Sequence, residues 1–320
     1  MTSCVSDMEY CKEVIDLFQR TYLLEVRNVT FVDRSETELY RVESDQGPFA
    51  VKIYDPDPTV DFSVYGVNRY SAENIEGIMS LLMALSADCA DKRFSYPIPL
   101  KRNSFVQMLS RGRICTVTSW ISGVDLIGVK TNNDFFYKIG VMLASFHEHA
   151  TQIAKRKNVH LFSGSLLLVN EWRGLIRSAL NISDQVRNKL MSACDLIDRA
   201  SFFLSDQDIV VVHGDFSRSN IIRTLNGFGL IDYSLCSYAP LYLDLGSLAF
   251  ELPEQGALAA LVGGYSDYSC RKIDVEKILI FRLFRVMLYV VANIQHMKDC
   301  SWIQGDPLAW AENLWMCKDA

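Results

Sequence analysis

Between two apolar runs, Val210-Val211-Val212 and Ile221-Ile222, lies the polar cluster His213-Gly214-Asp215-Phe216-Ser217-Arg218-Ser219-Asn220. Asp215 and Asn220 stand five apart, a spacing at which one carboxylate can orient or deprotonate an attacking hydroxyl while an amide oxygen holds a divalent cation. Twelve residues beyond Asn220, Leu230-Ile231-Asp232-Tyr233 is another short apolar strand ending in a carboxylate, which makes Asp232 the second candidate metal ligand. Phosphoryl transfer asks for these types. It needs little covalent chemistry from the protein, only magnesium held across the phosphates by hard oxygen donors and one base beside the acceptor. Taken singly, Asp and Asn after strands are common turn residues and caps. Taken together, with His213-Gly214 in front and Lys52 upstream, they predict a phosphoryl-transfer site.

The elements that must position these groups follow from periodicity. In Phe49-Ala50-Val51-Lys52-Ile53-Tyr54, alternate residues are apolar, the pattern of a half-buried strand with Lys52 on the face opposite Val51 and Ile53. Leu39 to Glu43 is a partner strand, joined through Ser44-Asp45-Gln46-Gly47-Pro48 as a hairpin. Ile75, Ile78, Met79, Leu82 and Leu85 follow helical spacing, so one helix crosses the small sheet. Two further strands, Ser104 to Leu109 and Ile114 to Trp120, precede Ile121-Ser122-Gly123, where the sheet-rich part ends. Beyond it come helical stripes: Phe135, Ile139, Met142, Leu143 and Phe146, and later Leu279, Leu283, Val286, Val290 and Ile294. The expectation is an α+β, two-lobed fold, with a lobe over residues 1–120, a larger helical lobe over 121–320 and a hinge near Ser119 to Gly123.

Composition excludes several function classes. The formal charge of -6 is the wrong sign for a protein held on nucleic acid by counterion release. A cationic substrate is compatible with it. Nine scattered cysteines without a CxxC pair read as reduced thiols of a cytoplasmic protein. The first twenty residues lack the basic start and apolar run of a signal peptide. Ile278 to Ile294 is the most apolar stretch, but a membrane span there would bury Arg282 and Arg285, so it reads as a core helix.

The loop signature His213-Gly214-Asp215 through Asn220, then Ile231-Asp232 and Asp244-Leu245, resembles the aminoglycoside phosphotransferase family, which includes choline kinases and type II homoserine kinases. Arg113-Ile114-Cys115, Trp120-Ile121-Ser122-Gly123, Leu143-Ala144-Ser145-Phe146-His147 and Tyr242-Leu243 fit the same group, so the similarity runs from about Leu24 to Tyr265. The resemblance implies a protein-kinase-like fold and an enzyme that uses ATP and Mg2+ to phosphorylate a small hydroxylated molecule: an amino alcohol, homoserine or an amino sugar. It implies Asp215 as base, Asn220 and Asp232 as metal ligands, and Lys52 on the α and β phosphates. Ser35 falls on the loop over the phosphates, and the backbone of Ser119, Trp120 and Ile121 meets the adenine. His213 braces the loop, His147 packs, and Asp244 is structural, at the start of an apolar helix where it can cap amides.

One departure stands out. The family's helix glutamate, which pairs with the strand lysine, is replaced by Ile78, with Glu73 or Glu76 as the only nearby substitutes. That favours an alternative, a nucleotide-binding regulatory module without turnover. A metal-dependent hydrolase is a third reading. His147 and His149, two apart on a helix, diverge by about 200° and make no zinc pair. Glu251 and Glu254 are candidates to meet a cationic acceptor, with a solvated helix face as the simpler reading.

Overall fold

The computed structural model describes residues 12–34, 37–54, 71–88, 94–99, 104–127, 129–162, 168–252, 255–297 and 300–318. It divides into two compact units, the first formed by Met1–Val60, Tyr70–Val124 and Ile222–Ile231, the second by the remainder.

The first unit is built on a five-stranded antiparallel sheet in the order β1-β2-β3-β5-β4: β1 (Val26–Arg34), β2 (Glu38–Ser44), β3 (Gly47–Tyr54), β4 (Val106–Met108) and β5 (Ile114–Ser119). The predicted alternation in β3 is realised from Phe49 to Ile53, with Phe49, Val51 and Ile53 buried and Ala50 and Lys52 half-exposed, and it ends at Tyr54, which is buried although it follows Ile53 directly. The buried face packs on Tyr40, Val42, Cys115 and Val117 and on Val14, Leu17 and Phe18, which belong to a helical segment over residues 12–22. Glu13 anchors that segment by an ion pair with the buried Arg113 at 2.7 Å. The β2–β3 turn closes with Ser44 opposite Gly47, whose φ of 113° is left-handed territory that a side chain would strain. Helix α1 (Ala72–Asp88) buries Ile75, Ile78, Met79, Leu82 and Leu85, the predicted stripe.

Strand β1 was not anticipated. Its sequence Val-Arg-Asn-Val-Thr-Phe-Val-Asp-Arg has no clean alternation, and Phe31 and Val32 are exposed. It is an edge strand with irregular register between Val26 and Asn28 and between Phe31 and Asp33, so its pairing with β2 rather than burial defines it.

In the second unit, α2 (Asn133–Lys157) starts at Asn132, whose side chain accepts the Phe135 N–H at 2.9 Å. It packs closely on α6 (Gln255–Ser269), because a methyl group at Gly140 would strike the Leu261 carbonyl and one at Gly264 the Tyr137 carbonyl. Helices α3 (Leu168–Ser178) and α4 (Asp184–Ser201) precede β7 (Ile209–Val212); the small separate sheet of β6 (Val124–Asp125), β8 (Ile221–Thr224) and β9 (Gly227–Leu230) belongs mostly to the first unit. Strand β10 (Ser237–Pro240) pairs antiparallel with β7, setting Ser237 opposite Val212. It leads into α5 (Tyr242–Phe250), which packs on α7 (Val275–Asn293), and α8 (Trp310–Lys318) closes the unit. Among the described residues no helix is long and apolar enough to cross a membrane. The two arginines of α7 are paired instead, Arg282 with Glu312 at 2.6 Å and Arg285 with Asp215 at 2.7 Å.

Candidate active site

The loop after β7 turns at Gly214, where φ is 86° and a side chain would run into the Leu235 carbonyl. This close approach joins the loop to the segment after β9, and the rings of His213 and Tyr233 reinforce it at a centroid distance of 4.8 Å. His213 is fully buried, and its Nδ1 accepts the Asp215 N–H at 3.3 Å. The ring therefore braces the backbone that carries the candidate base.

Asp244 completes the support. It is fully buried, and its carboxylate accepts the N–H groups of His213 at 2.7 Å and Gly214 at 2.8 Å. His147 Nε2 lies 2.9 Å from the same carboxylate, and its Nδ1 lies 2.8 Å from the Tyr265 hydroxyl. The expected cap at the start of α5 is thus redirected: Asp244 serves the loop's amides, and Leu241, at the N-cap, makes no side-chain cap bond. His149 turns away to Ser145, so the two histidines do diverge. Burial pushes the Tyr265 phenol well above its ordinary range, so it stays protonated and available as a donor.

Asp215 and Asn220 are brought together. Asn220 Nδ2 donates to the Asp215 carbonyl and to its Oδ2, both at 2.9 Å. Because both partners are acceptors, the nitrogen must face them, and the Asn220 amide oxygen, a hard donor, points to the other side. Asp232 follows β9 with a φ of 62°, unusual for a residue bearing a side chain, and its Oδ1 accepts the Ser234 hydroxyl at 2.8 Å. It is exposed, on the segment that Gly214 and His213 pack against. Two carboxylates and an amide oxygen suit a hard cation such as magnesium by donor type.

Two further side chains stand beside Asp215: Arg285, to which the sequence assigns no role at the site, and Glu251, a candidate for a cationic acceptor. Arg285 of α7 ion-pairs with Asp215 Oδ1 at 2.7 Å. Glu251 is half-buried rather than on a solvated face, and its carboxylate accepts the Arg218 N–H of the loop at 2.6 Å. Burial pushes Glu251 up, and Asp215 adds to this, while the Arg218 amide and the Arg285 charge oppose it. In the sequence the signal for Arg285 is a charge inside an apolar helix, which argues against a membrane span without pointing to Asp215.

The remaining predicted residues lie in the sheet unit. Lys52 stands in β3 between Leu39 and Thr116, on the face opposite the core, with Nζ 5.9 Å from the Tyr54 ring. The Glu76 carboxylate is bound to the start of β4, accepting the N–H groups of Phe105 at 3.0 Å and Val106 at 3.0 Å and the Ser104 hydroxyl at 3.1 Å. Glu73 is exposed. The Ser119 N–H donates to Tyr96 O at 2.8 Å and the Trp120 N–H to Pro48 O at 3.3 Å; among the described residues nothing accepts from Ile121 N–H. The Arg41 guanidinium covers the Trp120 ring at 4.9 Å. Ser35 and Glu254 lie outside the described residues.

Residues 30–275 match the phosphotransferase enzyme family. No curated protein matches the sequence. Among solved structures the chain is similar to a microcompartment-associated aminopropanol kinase, with a TM-score of 0.70 at 18% identity over 97% of this chain and 94% of that one. It is similar to spectinomycin phosphotransferase in complex with ADP and spectinomycin, with a TM-score of 0.67 at 14% identity over 97% and 98%. A third is amicoumacin kinase with AMP-PNP and Ca2+, with a TM-score of 0.66 at 18% identity over 100% and 96%. At these identities the likeness establishes the fold, the two-lobed α+β arrangement of protein-kinase-like enzymes.

Proposed function

The chain belongs to the phosphotransferase enzyme family, and from that premise we propose that it moves the terminal phosphoryl group of magnesium-bound ATP to the hydroxyl of a small amine-bearing molecule. The carrying observation is the clamp in which Asn220 Nδ2 holds both the carbonyl and Oδ2 of Asp215. Asp215 receives the acceptor's hydroxyl and takes its proton as the new bond forms. Asn220 and Asp232 hold the cation, which when bound offsets charge on the transferred group. Lys52 and the Ser35 loop meet the phosphates. The carbonyls of Ser119 and Trp120 and the N–H of Ile121 meet the adenine edge, since the N–H groups of Ser119 and Trp120 are already used within the sheet unit. In this reading residues 1–120 bind nucleotide and 121–320 bind the acceptor.

An amine-bearing acceptor is supported by the relatives named for aminopropanol and spectinomycin and by the chain's acidic balance. The half-buried Glu251 is the carboxylate placed to meet its ammonium. The buried free thiols of Cys115 and Cys194, pushed up by burial to about 12 and about 11, fit a reducing cytoplasm.

The test is incubation of the protein with magnesium-ATP and a panel of 1-amino-2-propanol, choline, homoserine, spectinomycin and kanamycin, with phosphorylated product read by mass spectrometry. Transfer to at least one acceptor is expected, with a loss of about a hundredfold or more in Asp215→Asn. ATP binding without turnover in both proteins would establish the regulatory module instead. No thermal shift with magnesium-ATP would favour the hydrolase.

A further inference from the structure

Arg285 stands in α7 among Leu283, Phe284, Val286 and Met287, all buried, and its own side chain is 25% exposed. A guanidinium in such surroundings is costly unless a carboxylate compensates it. Its partner is the candidate base: Nη2 lies 2.7 Å from Asp215 Oδ1. The contact is an ion pair without an aligned N–H···O hydrogen bond, and Oδ1 is closed off from solvent. The other oxygen, Oδ2, accepts from Asn220 at 2.9 Å. The Asp215 side chain as a whole remains 27% exposed while Oδ1 is sealed, so its exposure is carried by the other side-chain atoms, of which Oδ2 is the only other oxygen.

Resting on the function proposed above, we infer that Arg285 is a positioning residue: it pins Oδ1 of Asp215, so that Oδ2, beside Asn220, is the oxygen that receives the acceptor's proton. In the step this implies, the proton passes from the acceptor hydroxyl to Oδ2 as the acceptor oxygen bonds to the γ phosphorus. The bond from that phosphorus to the β–γ bridging oxygen breaks, and a nucleoside diphosphate leaves. Fixing the carboxylate matters because a misplaced base loses rate steeply even when all reactants are bound. Arg285 also acts on the loop from a second side: its charge works on Glu251, which holds the Arg218 N–H at 2.6 Å. An arginine suits this position better than a lysine, since its planar fork is fixed by packing and stays charged when three-quarters buried.

The test compares wild type, Arg285→Gln, Arg285→Lys, Asp215→Asn and the Asp215→Asn/Arg285→Gln double variant. Each is assayed with magnesium-ATP and 1-amino-2-propanol or, failing transfer to it, whichever other panel acceptor the wild type phosphorylates. Arg285→Gln is expected to lower kcat about tenfold or more while the KM for ATP moves less than about threefold, because the interaction acts on the reacting geometry and not on nucleotide binding. Arg285→Lys should recover part of that loss. The double variant should be no slower than Asp215→Asn alone, since the arginine acts through the aspartate. A double variant slowed by the product of the two single effects would overturn the inference. So would a KM for ATP that rises with the fall in kcat, or an Arg285→Lys variant as slow as Arg285→Gln. If Arg285→Gln fails to fold by circular dichroism, Arg285→Lys and its double with Asp215→Asn carry the same comparison. A wild type that transfers phosphate to none of the five panel acceptors, with or without transfer to water, overturns the function on which the inference rests; a wild type active on any of them, assayed with that acceptor, with an unaffected Arg285→Gln overturns the inference alone.

Discussion

In the helical unit, the loop from His213 to Asn220 is held by side chains distant in sequence: Asp244 on its amides, His147 and Tyr265 behind Asp244, Glu251 on Arg218 and Arg285 on Asp215. In the sheet unit, the segments carrying Lys52 and Ser119 are held by strand register and by backbone bonds such as Ser119 N–H to Tyr96 O. The difference has a physical origin. An irregular loop cannot satisfy its own buried amides, so a buried carboxylate must, whereas paired strands satisfy each other. The loop should accordingly be fragile to single side-chain changes, and the sheet tolerant of them.

The hardest test of that contrast is Asp244→Ala. It leaves the His213 and Gly214 amides and the His147 ring without their shared acceptor in a fully buried place. The expected cost is about 3–5 kcal/mol, from stranded buried polar groups. A thermal melt should show a large drop in Tm together with loss of transfer. A variant that melts within a few degrees of wild type would mean that water or a rearranged loop can replace Asp244, and the contrast would fail.

On the sheet side the corresponding carboxylate is Glu76, half-buried and bound to the Phe105 and Val106 amides. Glu76→Ala should cost only about 1–2 kcal/mol, because solvent can reach part of the vacated site. Its KM for ATP should stay close to that of wild type. A large rise in that KM with little change in Tm would mean that Glu76 turns to Lys52 in the working enzyme, giving the sheet unit a side-chain network of its own.

How much of this was legible follows the same division. The β3 alternation and the α1 stripe could be read because core burial imposes the period on the sequence, and Phe49, Val51, Ile75 and Leu82 are buried as the pattern requires. Strand β1 could not, since an edge strand defined by pairing need not alternate. The pairing of Asp215 with Asn220 was suggested by their spacing. Arg285 was invisible as a partner of Asp215 because 70 residues separate them and only the packing of α7 in the second unit brings them together. The use of Asp244 was half-seen: its position at a helix start predicted a cap, but sequence gives no sign that the capped amides belong to another segment.

The gentlest test concerns Glu251, which has one foot in each regime: it holds a loop amide, yet it is partly open to solvent. Burial raises its carboxyl above the ordinary glutamate range. The folded chain therefore keeps a proton that the unfolded chain has already released, so ν_U is smaller than ν_N and stability falls as pH rises through that window. Glutamine cannot titrate, but its amide oxygen can still accept the Arg218 N–H. In Glu251→Gln that decline should disappear, and the Tm difference should shift in the variant's favour as pH rises from the ordinary glutamate range. A difference that stays flat over that rise would show that solvent screens Glu251 as it would an exposed side chain, leaving the Arg218 amide held by position alone and narrowing the loop's support to Asp244 and Arg285.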